Sequence, residues 1–412
     1  MTGRETEVEL SQRPLWEYVP VAEYKLPEST MAHAIRGGIM GLLQRFRSVP
    51  EQAGDPLRAR ETLQALKESA LDRITPEPDW RSAAMALKAE LTPWINDEQK
   101  GKPGVYVVAP PHGNNDKILM ELADDLGWKV LSPPEKGEVL GWDSGWIDRL
   151  TDQEGPWVLP QLERCFLRHA RGLNLVRLFY EKLQSGLLGR GIIGCDSWAW
   201  AYFSQVIYGI PPDALVMQAF DHHRLTQWFQ GVGGFADQSG CLFRQSDDGV
   251  YVLPRSSDLG NPSDPGAKVS PFLQRLAAHS LGIPGVAWSI WRSALKTLPE
   301  ETVLREAEKE GNADLKSTIW VLPWDQLSQP VLPVPMRPDD PLILHNLLLH
   351  NGLTLDALSE TMPLSSRSLE QRLVALKGMG LVEQEEGRWR VSACGYPVVR
   401  KALHSEGYLI DD

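Results

Sequence analysis

Cysteine is scarce. Four occur in 412 residues (Cys165, Cys195, Cys241 and Cys394), and no two form a CxxC pair. That spacing excludes a disulfide framework and a zinc knuckle, and it implies a reducing compartment, the cytoplasm. Long apolar runs are also missing. The most apolar stretch, 191–220, contains Asp196 and the pair Pro211-Pro212. It falls short of the ~20 continuous apolar residues of a spanning helix. The N-terminus, MTGRETEVELSQR, has no apolar export core, so no membrane insertion is expected. Positive charge is in deficit: 42 Lys and Arg against 54 Asp and Glu leave a net charge of −12. This excludes a chain coated for non-specific nucleic-acid binding and leaves only a local basic face. Tryptophan, in contrast, is plentiful at 15, which suits cores and seams between packed layers.

The chain divides into zones. Residues 1–30 read as an extended arm: Pro14, Pro20 and Pro27 interrupt any helix, and Trp16, Tyr18 and Tyr24 offer anchors for an interface. Residues 31–100 carry helical periodicity in MAHAIRGGIMGLLQRFRSV, PLRARETLQALKESALDRI and DWRSAAMALKAELTPWI. Residues 101–325 alternate strands and helices. The strands are expected at Val105–Ala109, Trp128–Leu131, Gly191–Cys195, Ala214–Phe220, Val250–Leu253 and Thr318–Leu322. Such alternation predicts an α/β fold with a parallel sheet covered on both faces. Helices about 268–297 bend at Gly282–Gly285. Residues 326–338 form a Pro-rich linker.

The last zone, 339–412, is the most legible. Thr354 is placed to cap a second helix and Ser365 or Ser366 a third, and Leu381–Val391 reads as a hairpin with Glu386-Gly387 at its tip. Three helices and a hairpin in this order, carried by TLDALSE, SSRSLEQRL and LKGMGLVE, resemble the winged helix-turn-helix domain. In DNA-binding members the third helix enters the major groove. The resemblance therefore implies DNA or partner contacts by Ser365, Ser366, Arg367, Gln371 and Arg372, with Arg388 and Arg390 on the wing. The zone holds seven Lys and Arg against eleven Asp and Glu. This balance disfavours phosphate binding and leaves protein contact as the competing use.

The strand VYVVA, the loop PPHGNNDK and the helix ILMELADDLG follow one another as in a P-loop NTPase, where backbone amides cradle phosphate and a Lys and a Ser/Thr complete the site. Registered on Lys117, the first Gly position holds Pro111, the second holds Asp116, and the hydroxyl position holds Ile118. A carboxylate there opposes polyphosphate, and Ile118 offers Mg²⁺ no oxygen. GIIGCD, 191–196, is similar to a Walker-B strand with Asp196 in the metal place, followed by Ser197 where a catalytic Glu is expected. GIPGVAW, 282–288, and its preceding helix resemble the lid of AAA+ and STAND ATPases without the lid Arg. The zone thus resembles an AAA+/STAND-type P-loop module with degenerate Walker motifs. The resemblance implies a nucleotide site at His112, Gly113, Asn114, Asn115 and Lys117.

Three functions follow as expectations. The first is a non-catalytic ATPase-like assembly or regulatory subunit acting through protein partners or self-association, in the manner of multi-gene bacterial defence or mobile-element systems. The second is a DNA-binding regulator with a ligand-sensing central domain. The third is an ATPase with an unorthodox loop, the only one that requires ATP and Mg²⁺; no cofactor is expected of the first.

Overall fold

The computed structural model describes residues 14–27, 58–96, 103–141, 144–152, 154–210, 213–231, 241–253, 269–299 and 318–411. The expected helix over 31–49 and the first part of the arm lie outside these residues. The described residues of 16–25, 80–218 and 329–411 group into one unit, and those of 58–79 and 219–328 into another.

The first unit is built on a six-stranded sheet. Its strands are β1 (Tyr18–Pro20), β2 (Gly104–Ala109), β3 (Lys129–Val130), β4 (Trp157–Leu159), β5 (Gly191–Asp196) and β6 (Ala214–Met217), in the spatial order β1-β6-β2-β5-β4-β3. All neighbours are parallel except β1, which runs antiparallel to β6 at the edge. β2 and β5 are buried along nearly their whole length, as expected of apolar runs in a parallel sheet. Helices cover both faces: α1 (Trp80–Asn96), α2 (Asn115–Leu126), the short α3 (Lys136–Leu140) and α4 (Gly145–Thr151), α5 (Asn174–Gln184) and α6 (Ser197–Val206). Tyr106 and its register partner Ile193 point to one face, where Tyr106 meets Tyr180 of α5 at 5.9 Å and Trp200 of α6 at 5.2 Å. Val107 and Gly194 point to the other, where Leu119 of α2 lies against Gly194. The helices after the adjacent strands β2 and β5 therefore lie on opposite faces. In open α/β sheets that divergence opens a crevice at the strand C-termini.

The parallel sheet expected from the sequence is present, with two corrections. Trp157–Leu159 is an additional strand, so GIIGCD is the fourth parallel strand along the chain and not the third. Its three residues were too few to show a period. Val250–Leu253 and Thr318–Leu322 do form strands, Tyr251–Leu253 and Thr318–Val321, but in the second unit. A short apolar strand announces its burial but not its neighbour.

The same unit carries α7 (Asp340–Leu349), β7 (Leu353–Thr354), α8 (Leu355–Thr361), α9 (Ser366–Gly378), β8 (Val382–Glu385), β9 (Arg388–Val391) and α10 (Tyr396–Ser405). The caps are those expected: Thr354 Oγ1 accepts from the Ala357 N–H at 3.2 Å, and Ser365 Oγ from the Ser368 N–H at 3.3 Å. Glu386 and Gly387 have φ of 50° and 77°, the left-handed pair a two-residue hairpin needs. β9 is central to an antiparallel sheet ordered β7-β9-β8.

The second unit has a five-stranded mixed sheet ordered Gln64–Ala65, Leu295–Thr297, Thr318–Val321, Leu242–Gln245, Tyr251–Leu253. Trp291 lies in its core, against Phe229 at 5.1 Å, Phe243 at 5.5 Å and Phe272 at 5.8 Å. Of residues about 268–297, expected as a helical lid, Phe272–His279 and Pro284–Ala294 are helices of this unit and Leu295–Thr297 is a strand. The helix expected over 56–74 is realised only at Glu68–Ile74, because Gln64–Ala65 pairs with Lys296–Thr297.

Gly194 measures how tightly β5 packs. A Cβ there would lie 2.2 Å from the Pro160 oxygen and 2.4 Å from Leu119 Cδ1. Gly194→Ala is expected to destabilise the protein by about 1–3 kcal/mol, seen as a lower denaturant midpoint. An unchanged midpoint would refute the packing described.

Candidate functional site

The crevice at the ends of β2 and β5 gathers the residues expected of a nucleotide site, His112 to Asn115, Lys117 and Asp196. The loop after β2 turns tightly: the Gly113 N–H donates to the Pro110 oxygen at 2.9 Å, and His112 and Asn114 both adopt left-handed backbone, φ 65° and 54°. Asn114 Nδ2 holds the turn by donating to the His112 oxygen at 3.1 Å, and Asn115 Nδ2 donates to the Val107 oxygen at 2.8 Å. Asp116, on the first turn of α2, accepts from Gln161 Nε2 at 3.3 Å. Lys117 is exposed on that turn. The His112 ring turns into the seam. Its Nε2 donates to the Val391 oxygen at the end of β9 at 3.0 Å, and its face meets Tyr396 edge-on at 6.3 Å. Burial, with Arg390 nearby, lowers its pKa to about 3 and keeps the ring neutral.

At the end of β5, Asp196 caps α6: its Oδ1 accepts from the Trp198 N–H at 2.9 Å. Its own N–H donates to Glu163 Oε2 at 3.1 Å. Glu163 follows β4 and is 2% exposed; Asp196 is 4% exposed. Burial raises Glu163 to about 7, with Asp116 adding repulsion and Arg164 opposing it. Burial raises Asp196 too, and the Glu163 carboxylate adds to it. Glu163 escapes a reading of the sequence because the strand that delivers it is three residues long. A Glu two to four residues past such an apolar run, facing a second strand that ends in Asp, was the available signal.

The C-terminal segment closes the crevice. The Asp411 carboxylate accepts from Ser197 Oγ at 2.6 Å, from the Tyr396 hydroxyl at 3.0 Å and from Arg400 Nε at 2.9 Å. Trp198 Nε1 donates to the Tyr396 oxygen at 3.2 Å. His350 lies tilted against Phe166 at 4.3 Å, and its Nε2 accepts from the Arg168 N–H at 3.3 Å. Lys136 of α3 pairs with Asp356 at 2.5 Å and Glu360 at 3.3 Å, both on α8.

These contacts decide whether a nucleotide and Mg²⁺ fit. Asp116 puts a carboxylate at the helix N-terminus, Ile118 is 1% exposed and has no hydroxyl, and Asp196 is engaged as a helix cap. Among the described residues no three His, Cys, Asp or Glu side chains converge on a metal position. The residues present do not fit the group.

The residues expected to reach DNA or a partner divide. Ser366, Arg367 and Gln371 are exposed on α9, and Ser365 caps it. Arg372 is turned inward: its guanidinium grips Asp340 of α7, Nε at 2.9 Å, where the Asp340 side chain is 0% exposed. Arg388 Nη2 donates to the Gly352 oxygen at 2.6 Å, and burial beside Arg164 lowers its pKa to about 10. Arg390 pairs with Glu383 at 2.7 Å and Glu385 at 2.8 Å. The arm residues expected at an interface with another chain lie within this unit: Trp16 and Tyr18 are buried, with Trp16 against Trp80 at 5.9 Å, and Tyr24 is half-buried.

No family model matches the chain, and no curated protein matches it. Among solved structures, one RuvB variant of Thermotoga maritima is similar at 14% identity and TM-score 0.29, over 84% of this chain and 96% of that one. A second RuvB variant is similar at 13% and 0.30, over 82% and 98%. The Walker-type ATPase of Pyrococcus abyssi is similar at 11% and 0.30, over 77% and 95%. At these TM-scores the superpositions are loose.

Glu163 supplies a pH test. It holds its proton more tightly in the folded chain, at about 7, than at the ordinary value of 4.5. Its contribution is therefore full at low pH and is lost as pH rises through about 7. His112, His345 and His350, held low at about 3, 4 and 3, push the other way below their ordinary value of 6.5. Subtracting the stability of Glu163→Gln from that of the wild type removes them. The difference is expected to fall by up to ~3 kcal/mol between about pH 5 and about pH 8. A flat difference in chemical denaturation would refute the buried carboxyl.

Proposed function

We propose that this chain is a non-catalytic, P-loop-ATPase-like subunit that works through assembly and contact. One observation carries this reading: the crevice where an α/β sheet of this kind binds ligands is filled by the chain's own side chains, His112, Tyr396 and Asp411. A phosphate loop works by offering free backbone amides and a cation to an anion. Here the loop is folded on itself by Asn114 and its histidine is tied to Val391, while the carboxylate of Asp411 already takes the Ser197 hydroxyl. The C-terminal module, read as a winged helix, is the plug.

The test is turnover. With ATP and Mg²⁺, no steady hydrolysis is expected, and Lys117→Ala is expected to change nothing. Turnover that Lys117→Ala abolishes would overturn the proposal and make the chain an ATPase with an unorthodox loop.

DNA contact is a second reading, favoured by the exposure of Ser366, Arg367 and Gln371 on α9. The internal pairing of Arg372, Arg388 and Arg390 argues against it, because duplex affinity comes largely from phosphate neutralisation. The full-length chain is expected to bind duplex DNA weakly, with affinity collapsing between about 50 and 200 mM salt. A sequence-selective complex that survives physiological salt and is lost in Arg367→Ala would put this reading first.

A further inference from the structure

The loop that follows β4 packs against the C-terminal module at His350. The Phe166 ring meets the imidazole at 4.3 Å, and the Arg168 N–H donates to its Nε2 at 3.3 Å. Two residues beyond His350, the Gly352 oxygen accepts from Nη2 of Arg388, the first residue of β9, at 2.6 Å. Arg164 of the loop and Arg388 of the wing therefore reach one seam from opposite sides. They are close enough that Arg164 disfavours the charge on Arg388.

Neither guanidinium has a counter-charge. Elsewhere Arg149, Arg292, Arg372, Arg390 and Arg400 each pair with a carboxylate. Arg190 and Arg244 lie over the rings of Trp94 and Tyr251, at 4.4 and 4.6 Å. Among the described residues Arg388 has one neutral carbonyl as its acceptor, and the Arg164 side chain has no hydrogen bond, ion pair or ring. The Nε of each is out of solvent without an acceptor. A buried donor on a charged group left unpaired is costly, and it marks a place where a water or an ion belongs.

The neighbouring acids do not supply the missing charge. Glu163 Oε2 accepts from the Asp196 N–H, and burial keeps the proton on Glu163 up to about pH 7. The Asp116 carboxylate accepts from Gln161. Arg168 brings a third positive charge to His350. In a chain of net charge −12, this seam is a local reversal of sign.

We propose that Arg164 and Arg388 form a binding site for a small oxyanion of the phosphate class, held between the loop after β4 and the start of β9. A guanidinium presents a planar fork of N–H donors that matches two oxygens of one phosphate. One anion between the two forks gives both Nε donors an acceptor and turns their mutual repulsion into shared attraction. Both arginines are half-buried, which suits a free phosphate or a small phosphomonoester and not the backbone of a duplex. Occupancy ties the loop to the wing and tightens the seam. The site calls for no turnover, so it stands or falls apart from the non-catalytic reading above, which hydrolysis tests.

The experiment uses the full-length chain and inorganic phosphate, with chloride at matched ionic strength as the reference. Calorimetric titration of the wild type is expected to show saturable binding, with a saturable rise in melting temperature. Phosphate also stabilises proteins by exclusion from their surface, but that effect does not saturate and every variant shares it. Arg164→Gln breaks no internal bond, so it is the lead variant; it and Arg388→Gln are expected to weaken phosphate roughly ten-fold or more. Arg164→Lys keeps the charge, loses the fork and is expected to fall between. Lys401→Gln, at an exposed position of α10, is expected to bind as the wild type does. Glycerol phosphate in a parallel titration assigns the source: tighter binding than inorganic phosphate identifies a phosphomonoester, weaker binding the free ion, and either order supports the site. A rise that never saturates and is common to all variants overturns the proposal. So does saturable binding that Arg164→Gln leaves unchanged.

Discussion

Burial of carboxylates beneath a seam of aromatic and imidazole rings is the constraint from which the sealed site follows. Glu163 and Asp196 meet at the ends of β4 and β5 with little water. A lone ionised carboxylate in such a place costs several kcal/mol, so the pair requires donors, protons or both. Donors come from the backbone, through the N–H of Trp198 and of Asp196 itself. Protonation is favoured by burial, which raises both groups. The rings above, Tyr396, His350 and His112, are kept neutral by the same desolvation and therefore add no charge that would pull the acids back into ionised form. A module carrying charged arginines at those positions would seat differently. Two arginines do approach: Arg164 draws Glu163 back toward the ionised form, and Arg388 has its own charge disfavoured by burial and by Arg164.

The same economy of charge runs through the C-terminal module. Arg372 neutralises Asp340, whose side chain has no solvent at all. Removing one partner of such a pair leaves an uncompensated buried charge, so the pair holds α9 to α7 by the penalty for breaking it more than by its own attraction. Arg390 pairs across and along the hairpin with Glu383 and Glu385. Exposed pairs of that kind are worth little to stability, but they still cancel the field that would draw phosphate. A basic residue count read from the sequence therefore overstates the positive potential available on this surface.

Much of the fold was legible. Capping residues and turn chemistry act locally, so Thr354, Ser365 and Glu386-Gly387 announced the C-terminal module to within a residue or two, and VYVVA and GIIGC declared themselves by apolar runs. What stayed hidden depends on partners distant in sequence. Trp157–Leu159 is a strand because β3 and β5 flank it. Gln64–Ala65 leaves a helical pattern because Lys296–Thr297 pairs with it. The candidate site was half visible: the loop residues and Asp196 were named from spacing, whereas Glu163, Tyr396, His350 and Asp411 come together from four separate segments. Arg372 looked like a surface reader because its helical position is right for one. Only the approach of Asp340, 32 residues earlier, turns it inward.

The tight turn of the loop after β2 and the closure over it reinforce each other physically. A glycine-rich loop keeps its amides pointed at an empty cradle, which is tolerable only when an anion regularly fills it. With Asp116 and Ile118 opening α2, an open crevice would be an unsatisfied polar cavity. The chain answers with side chains that satisfy it from within. Asn114 donates to the loop carbonyl of His112 and Asn115 to the Val107 carbonyl of β2, His112 takes the end of β9, and Asp411 takes the Ser197 hydroxyl at the helix start. Each of these contacts is specific to a seated C-terminal module or to the folded loop, so binding a nucleotide would have to break several of them together. The loop, the end of β9 and the C-terminal segment thus meet in one hydrogen-bonded joint over the ends of β2 and β5.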